Sequence, residues 1–297
     1  MDNSISEQNL NEYFTRIKES IYSENPKQVV PIDEGMSELA IAGTATIALI
    51  IRAITKWLKN KYSITIKKII DQSKELNDIY TKVDDILKND KLARFKHRND
   101  SVDITIKYIV LHDTRDPRKY YSLTLDMLAY DPEYFINEID SIMKYANEQS
   151  KDKENDIGKM RDGVIKMIDE SFEKNHWYVR DLAPMMKIEN YHGQKLEKMV
   201  MMIKNQIGVI YNNIYTTNKT VSYQLKYMQV LQQAYNRCIS MYGTDKSSKD
   251  MVDSIFKKLL DNMTISMEFN SKIMNLMTEE IKHYVNELEK IYSIIRS

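Results

Sequence analysis

The sequence predicts an all-α (mainly) protein, arranged as an elongated antiparallel helical bundle with long coiled-coil-like helices. The 297 residues include only seven Gly and five Pro, which all-β and doubly wound folds use heavily at their turns. The eighteen Met residues point the same way, because Met is a good helix former and a tolerant core residue. Apolar side chains also recur in steps of three and four along most of the chain, which is the spacing of one helix face.

Residues 1–32 form the first predicted unit, an amphipathic helix followed by a linker. The apolar face of this helix consists of Leu10, Tyr13, Phe14, Ile17 and Ile21. Pro26 and Pro31 end the helix, because proline cannot continue the backbone hydrogen-bond pattern. The segment lacks the basic region followed by an apolar region that marks a signal peptide, so we expect no secretion by that route.

Residues 33–130 form the second predicted unit, which begins with a hydrophobic helix ending near Lys61. A coiled-coil-like helix follows, and its seam consists of Ile69, Ser73, Leu76, Tyr80, Val83 and Leu87. The alternation of apolar and polar residues in "VDITIKYIV", residues 102–110, is the clearest strand signal in the chain. Residues 62–68 contain "SITIK", which is similar to "DITIK" within the predicted strand. As an alternative to a helix, residues 62–68 could therefore form a strand that pairs with 102–110 in one small β-hairpin-like element.

Residues 131–297 form the third predicted unit, a helical bundle. Asp131, Pro132 and Glu133 predict a helix start, and this helix should run to about residue 149. A further helix is expected to about Asn175, followed by a break around Pro184 and by a helical stretch interrupted near residues 216–220. The last helix should start at Thr244 or Asp245 and run for about fifty residues. Its heptad face consists of Met277, Ile281, Tyr284, Leu288, Ile291 and Ile295.

The uncharged stretch "LAIAGTATIALII", residues 39–51, raises the question of membrane insertion. As a helix it spans about 20 Å, which is shorter than the roughly 30 Å hydrocarbon core of a bilayer. We therefore favour a buried helix whose small residues allow a neighbouring helix to approach closely. The expected contact positions are Ala42, Ala45, Thr46, Ala48 and Leu49. A membrane-active protein that uses residues 36–58 is the alternative.

Two Glu-x-x-His patterns are the sharpest candidates for chemistry, Glu173 with His176 and Glu280 with His283. Ferritin-like bundles hold two metal ions with such pairs, because this spacing directs a carboxylate and an imidazole from one helix face to one point. The neighbouring heptad places Glu280 and His283 on its flank, so solvated side chains are the favoured interpretation. The sequence carries no Gly-rich phosphate loop, nucleophile elbow or zinc-protease motif, and we expect neither an enzyme nor a cofactor.

The densest basic cluster, residues 88–100, contains Lys91, Arg94, Lys96 and Arg98. These side chains could contact phosphates or another anionic partner, although a solvated helix end is the favoured interpretation. The 43 basic and 43 acidic residues balance, which argues against a protein built to coat nucleic acid. Cys238 is the single cysteine, which excludes an intrachain disulfide and a zinc site built on cysteine pairs.

The stretch "AGTATIALIIRAITKWLKN", followed by a long Lys-rich helix, resembles the structural and internal-head proteins of large tailed bacteriophages. The resemblance covers roughly residues 33–90 and brings no catalytic residues with it. It implies a non-enzymatic virion component, made in the host cytoplasm, that acts through helical packing with other virion proteins or with itself. The heptad face between Met277 and Ile295 is then the expected interaction surface.

Overall fold

The structure of the chain is a computed structural model that describes residues 47–89, 100–111, 115, 128, 130–181 and 185–296. At positions 49, 57, 61 and 173–181 it describes the backbone alone. The chain divides after Ile54 into two compact units. The described part of the first unit is residues 47–54, and all contacts reported below lie within the second. The domain boundaries predicted after residues 32 and 130 stay predictions.

The described residues form five helices and two strands, which confirms the predicted mainly helical class. The helices are α1 (Ile47–Asn89), α2 (Tyr134–Glu148), α3 (Lys153–Asp181), α4 (Leu196–Tyr242) and α5 (Lys246–Arg296). The strands β1 (Ser101–Val110) and β2 (Met185–Lys195) pair as an antiparallel sheet. With 47 and 51 residues, α4 and α5 are about 70 and 75 Å long.

Helices α4 and α5 run antiparallel and supply much of the core. Gln224 of α4 donates a hydrogen bond to Ser266 of α5. Further along α4, Tyr235 packs edge-on against Phe256, which comes earlier in α5 than Ser266, so the two helices run in opposite directions. The turn between the helices uses Gly243, where a Cβ atom would lie 2.5 Å from the carbonyl oxygen of Ile239. Any larger residue would therefore push this turn apart.

A side-chain cap starts α5. The Asp245 carboxylate accepts a hydrogen bond from the Ser248 amide (3.1 Å) and others from the Ser248 and Ser247 hydroxyl groups (2.6 and 2.8 Å). These hydrogen bonds, led by that of the Ser248 hydroxyl, lower the pKa of Asp245 to about 2. The predicted start at Thr244 or Asp245 is confirmed, with Asp245 as the capping residue.

The interruption predicted near residues 216–220 is wrong, because α4 is continuous there. Thr216, Thr217 and Thr220 are buried and face the bundle instead of breaking the helix. The hydroxyl of Thr220 donates to the Thr216 carbonyl oxygen at 2.9 Å, so this buried polar group is satisfied within the helix itself.

Helix α1 is also continuous, so the helix end predicted near Lys61 and the alternative strand at 62–68 are both wrong. Tyr62 is buried, and its hydroxyl donates to Gln224 Oε1 of α4 at 3.2 Å. Tyr211, earlier in α4, donates to the carbonyl of Ser73, later in α1, so the two helices run antiparallel. The predicted seam is confirmed as buried at all its positions, Ile69, Ser73, Leu76, Tyr80, Val83 and Leu87.

A buried polar layer ties these three helices together around Gln224. Its side-chain nitrogen donates to Ser266 Oγ at 2.8 Å, and its oxygen accepts from Asn270 at 3.0 Å and from Tyr62. A shift of one helix along another would leave these buried groups without partners, so the layer favours a single register. Gln206, Asn213 and Thr217 of α4 each bury an oxygen that has no hydrogen-bond partner among the described residues.

A small two-stranded sheet is present, as the alternative predicted, but β1 pairs with a different segment. Strand β1 pairs with β2, from Ser101 opposite Lys195 to Val110 opposite Met185, and not with residues 62–68. Helices α2 and α3 lie between the two strands in the chain. The apolar side chains of β1 at Ile104 and Ile106 are buried, which explains why this segment leaves the helical pattern.

Helices α2 and α3 pack near the α4–α5 turn. Tyr242, at the end of α4, donates to the Asp140 carboxylate of α2, and Lys258 of α5 forms an ion pair with Asp169 of α3. The start of α2 follows the prediction, since the Asp131 carboxylate accepts from the amide two residues later at 3.0 Å.

Candidate functional site

Several ionisable side chains meet where α5 packs against the sheet. His283 Nε2 lies 2.5 Å from the carbonyl oxygen of Thr105, and the Tyr284 hydroxyl lies 2.5 Å from that of Lys107. A carbonyl oxygen can only accept, so Nε2 of His283 carries the hydrogen. Carbonyls two residues apart point to the same edge of a strand, and α5 therefore covers the edge of β1 to which they point.

Glu280, one turn before Tyr284, is sealed inside this junction. Its side chain has no exposed surface, and neither carboxyl oxygen has a hydrogen-bond partner among the described residues. Burial raises the pKa of Glu280 to about 8, although the positive charge of Arg115 acts in the opposite direction. Glu280 is therefore mostly protonated at neutral pH.

The prediction that Glu280 is solvated is wrong, because the sheet packs against its side of α5. A heptad pattern identifies the face that packs against other helices, and Glu280 indeed lies beside that face. Strand β1 covers this flank, as the contacts of His283 and Tyr284 show. His283 is half-buried for the same reason.

A second carboxylate at the same junction has the opposite character. Glu189 of β2 accepts hydrogen bonds from the hydroxyl groups of Tyr108 and Tyr191, the latter at 2.7 Å. The Arg115 guanidinium lies 3.2 Å from the centroid of the Tyr108 ring and 3.9 Å from Glu189 Oε1. The hydrogen bond from Tyr108, then that from Tyr191, and the Arg115 charge lower the pKa of Glu189.

The junction contains two carboxyl groups of opposite character: Glu280 keeps its proton, whereas Glu189 is ionised. The charge of Arg115 acts on both. A substrate cannot touch Glu280 in this conformation, because the side chain has no exposed surface. The hydrogen bonds of Glu189, His283 and Tyr284 join secondary structure elements. The side chains of this junction therefore attach the sheet to α5.

The metal-site alternative receives no ligand set in the described part of the chain, where no group of three or more His, Cys, Asp or Glu side chains is placed to hold an ion. The side chains of Glu173 and His176 lie outside the described residues. His283 directs Nε2 to Thr105, whereas Glu280 lies sealed in the junction, so the two side chains serve different neighbours.

The heptad face of α5, which we expected to bind other molecules, is buried within this chain. Its residues Met277, Ile281, Tyr284, Leu288, Ile291 and Ile295 are all buried in this chain, none more than 5% exposed. They face the chain's own helices and sheet, because a heptad pattern does not distinguish an internal seam from one shared with another molecule.

The remaining predicted positions lie at the limits of the described residues. Ala42, Ala45 and Thr46 lie outside them, as do the basic residues Lys91, Arg94, Lys96 and Arg98. Ala48 is half-buried near the start of α1, and the side chain of Leu49 is not among those described. These interaction and anionic-partner sites stay predictions. Of the helices that the structure describes, none is both long and apolar enough to cross a membrane.

Sequence reasoning missed the cluster around Glu189. The sequence predicts only a break around Pro184 where the structure has strand β2, which carries both Glu189 and Tyr191. The signal that could have revealed the strand is the alternation of Lys187, Glu189 and Tyr191, whose positions face Tyr108, Ile106 and Ile104 across the sheet. Family models, curated proteins and solved structures were all compared with the chain, and none matches it.

Proposed function

We propose that the protein is a non-enzymatic structural protein that acts by binding other proteins, as a component of a phage particle. The observation that carries the proposal is a set of large apolar side chains left on the surface of β2 and α4. Met185 and Ile188 of β2 are 61% and 57% exposed, and Met201 and Tyr215 of α4 are 66% and 70% exposed. A contiguous group of exposed apolar side chains is typical of surfaces that bind other proteins.

The outer face of α4 supports the proposal further. Met201 and Tyr215 are fourteen residues apart, which is two heptads, so they project from the same side of the helix. Tyr211, 42% exposed, lies one turn before Tyr215 and extends this apolar stripe. Gly208 lies between the tyrosines and Met201, and a Cβ there would meet nothing within 4 Å, which leaves the stripe open to a partner.

The junction of α5 and the sheet is consistent with a structural role. His283 and Tyr284 bond to backbone carbonyls of β1, which joins α5 to that strand, and Tyr108 bonds to Glu189, which joins the two strands. The phage assignment depends on the resemblance of residues 33–90 to internal-head proteins, and on the glycine-poor helical character of the chain.

Mass spectrometry of purified particles from the phage that encodes the chain tests the proposal. We expect the protein in particles that have been banded on a density gradient and washed in high salt. Its absence from such particles, while it is abundant in the lysate, would overturn the assignment.

A variant pair tests the surface. Tyr215→Lys should lower the amount recovered with particles several-fold, because a charge replaces the most exposed apolar side chain of the stripe. Tyr145→Lys, the same exchange at an exposed tyrosine of α2, is the matched control and should leave recovery unchanged. Equal recovery of both variants would show that this face makes no contact in the particle.

A further inference from the structure

The outer edge of β2 has an identifiable orientation. Because the carbonyls of Thr105 and Lys107 point to α5, the backbone groups of Ile104, Ile106 and Tyr108 point to β2. Their partners across the sheet are Tyr191, Glu189 and Lys187, respectively. The backbone amides and carbonyls of the alternate β2 residues, Met186, Ile188 and Asn190, therefore point away from β1.

This outer edge has the properties of a strand that accepts another strand. Among the described residues, no backbone group bonds to the outward amides and carbonyls of Met186, Ile188 and Asn190. Ile188, in the middle of this row, is 57% exposed, and Met185, at the start of the strand, is 61% exposed. An edge with open hydrogen-bonding groups and exposed apolar side chains is a template for strand pairing.

We infer that β2 pairs antiparallel with β2 of a second copy of this chain, about a two-fold axis at Ile188, to form a four-stranded sheet. The inference rests on the proposed function, since it names the partner of an interaction protein. A pairing of identical strands is isologous, which closes the assembly as a dimer.

Charge complementarity selects both the partner and the register. An axis at Ile188 places Lys187 opposite Glu189 of the second copy, and the symmetry repeats this ion pair. Ile188 then faces Ile188 of the second copy, and Met185 faces Tyr191. An axis at Asn190 would set Lys187 against Gly193 and Glu189 against Tyr191, which pairs no opposite charges. Of the registers whose axis lies on an outward-pointing residue near the middle of β2, the one at Ile188 pairs both charges.

Sedimentation equilibrium of the full chain provides the first test. The chain has a mass of 35.1 kDa, so we expect a species of about twice that mass to accumulate as concentration rises. Ile188→Pro should return the protein to the monomer mass. Proline removes the outward amide at this position, and the bonds between β2 and β1 do not use that amide. Tyr145→Lys, which removes an exposed apolar side chain from α2, is the matched control and should still form the dimer.

Cysteine crosslinking tests the register directly. In Ile188→Cys the axis brings the two Cα atoms to about 5.5 Å, within the range of a disulfide, so oxidation should yield a covalent dimer. In Met186→Cys, two residues from the axis, the thiols belong to positions offset by about 13 Å and should not crosslink. The native Cys238 is buried and should not contribute in either variant.

The inference is overturned if the native chain stays monomeric at the highest soluble concentration, if Ile188→Pro still forms the dimer, or if both cysteine variants crosslink equally. Helical circular dichroism of each variant should match the native chain, which shows that the variant is folded. A monomeric protein that is nevertheless found in particles would refute the strand pairing alone. A dimer that never enters particles would refute the proposed function alone.

Discussion

The buried carboxyl of Glu280 makes the stability of the protein depend on pH in an unusual direction. Most acidic groups in proteins stabilise the fold as they ionise, whereas Glu280 must keep its proton to remain in the junction without cost. Its pKa rises from the ordinary 4.5 to about 8 on folding. Between these values the folded chain binds a proton that the unfolded chain has released, so stability falls as the pH rises.

The size of the effect follows from the two pKa values. One pKa unit corresponds to about 1.4 kcal/mol, so at pH 7 the group lowers the free energy of unfolding by about 3 kcal/mol relative to pH 4.5. Above pH 8 the loss levels off at about 5 kcal/mol. Below pH 4.5 both states carry the proton and the group contributes no pH dependence.

Urea unfolding of the native chain and of Glu280→Gln, measured from pH 4.5 to pH 8.5, tests this reasoning. The amide has the shape of the protonated acid and cannot ionise. We therefore expect the variant to gain about 3 kcal/mol over the native chain at pH 7, beyond any difference present at pH 4.5. Because all other titrating groups are shared, the difference between the two profiles isolates Glu280.

Glu279→Gln is the matched control, since Glu279 is the neighbouring residue on the exposed side of the same helix. Its difference from the native chain should show no trend of comparable size between pH 4.5 and 8.5. Parallel profiles for the native chain and Glu280→Gln would refute the reasoning, because they would mean that this carboxyl ionises as easily in the folded chain as in the unfolded one.

Three further substitutions test individual contacts by urea unfolding. Tyr284→Phe should lower the free energy of unfolding by about 1 to 2 kcal/mol, because the half-buried Lys107 carbonyl loses its donor; an unchanged value would contradict that bond. Thr217→Val should raise it by about 1 kcal/mol, since it replaces a buried hydroxyl that has no partner among the described residues, and destabilisation would disprove the prediction. Asp245→Ala should cost about 1 kcal/mol at pH 7. The pKa of Asp245 is lowered to about 2, so this contribution is present above the ordinary value near 4 and should fade as the pH falls through 2.

The helices were largely predictable because their signals are local. The seam from Ile69 to Leu87 and the heptad from Met277 to Ile295 follow from spacing alone, and the cap at Asp245 follows from residue type. The continuity of α1 and α4 was not predictable in this way. Tyr62 looks like part of an interruption until Gln224 of the buried polar layer accepts its hydroxyl, and Thr217 looks like one until the bundle buries it.

The sheet and the junction were predictable only in part, because they depend on contacts distant in sequence. Strand β1 has the alternation of a half-buried strand, whereas no residue of β2 is fully buried, so β2 shows no apolar period. The position of Glu280 depends on which flank of α5 the sheet covers, and a helical pattern contains no such information. The same limit explains why the α5 heptad could be identified as apolar but not as internal.

The separation of the two strands along the chain has a consequence for synthesis. The 74 residues from 111 to 184 separate β1 from β2. At about 5 to 20 residues per second, a ribosome needs about 4 to 15 seconds to make them. Strand β2 therefore leaves the ribosome after the apolar strand "ITIKYIV" by a delay of this length, and α5, which covers the other edge of β1, leaves later still. Until then both edges of β1 lack their partners, so the nascent chain is prone to aggregation there, and a chaperone that binds short apolar segments would be expected to recognise it.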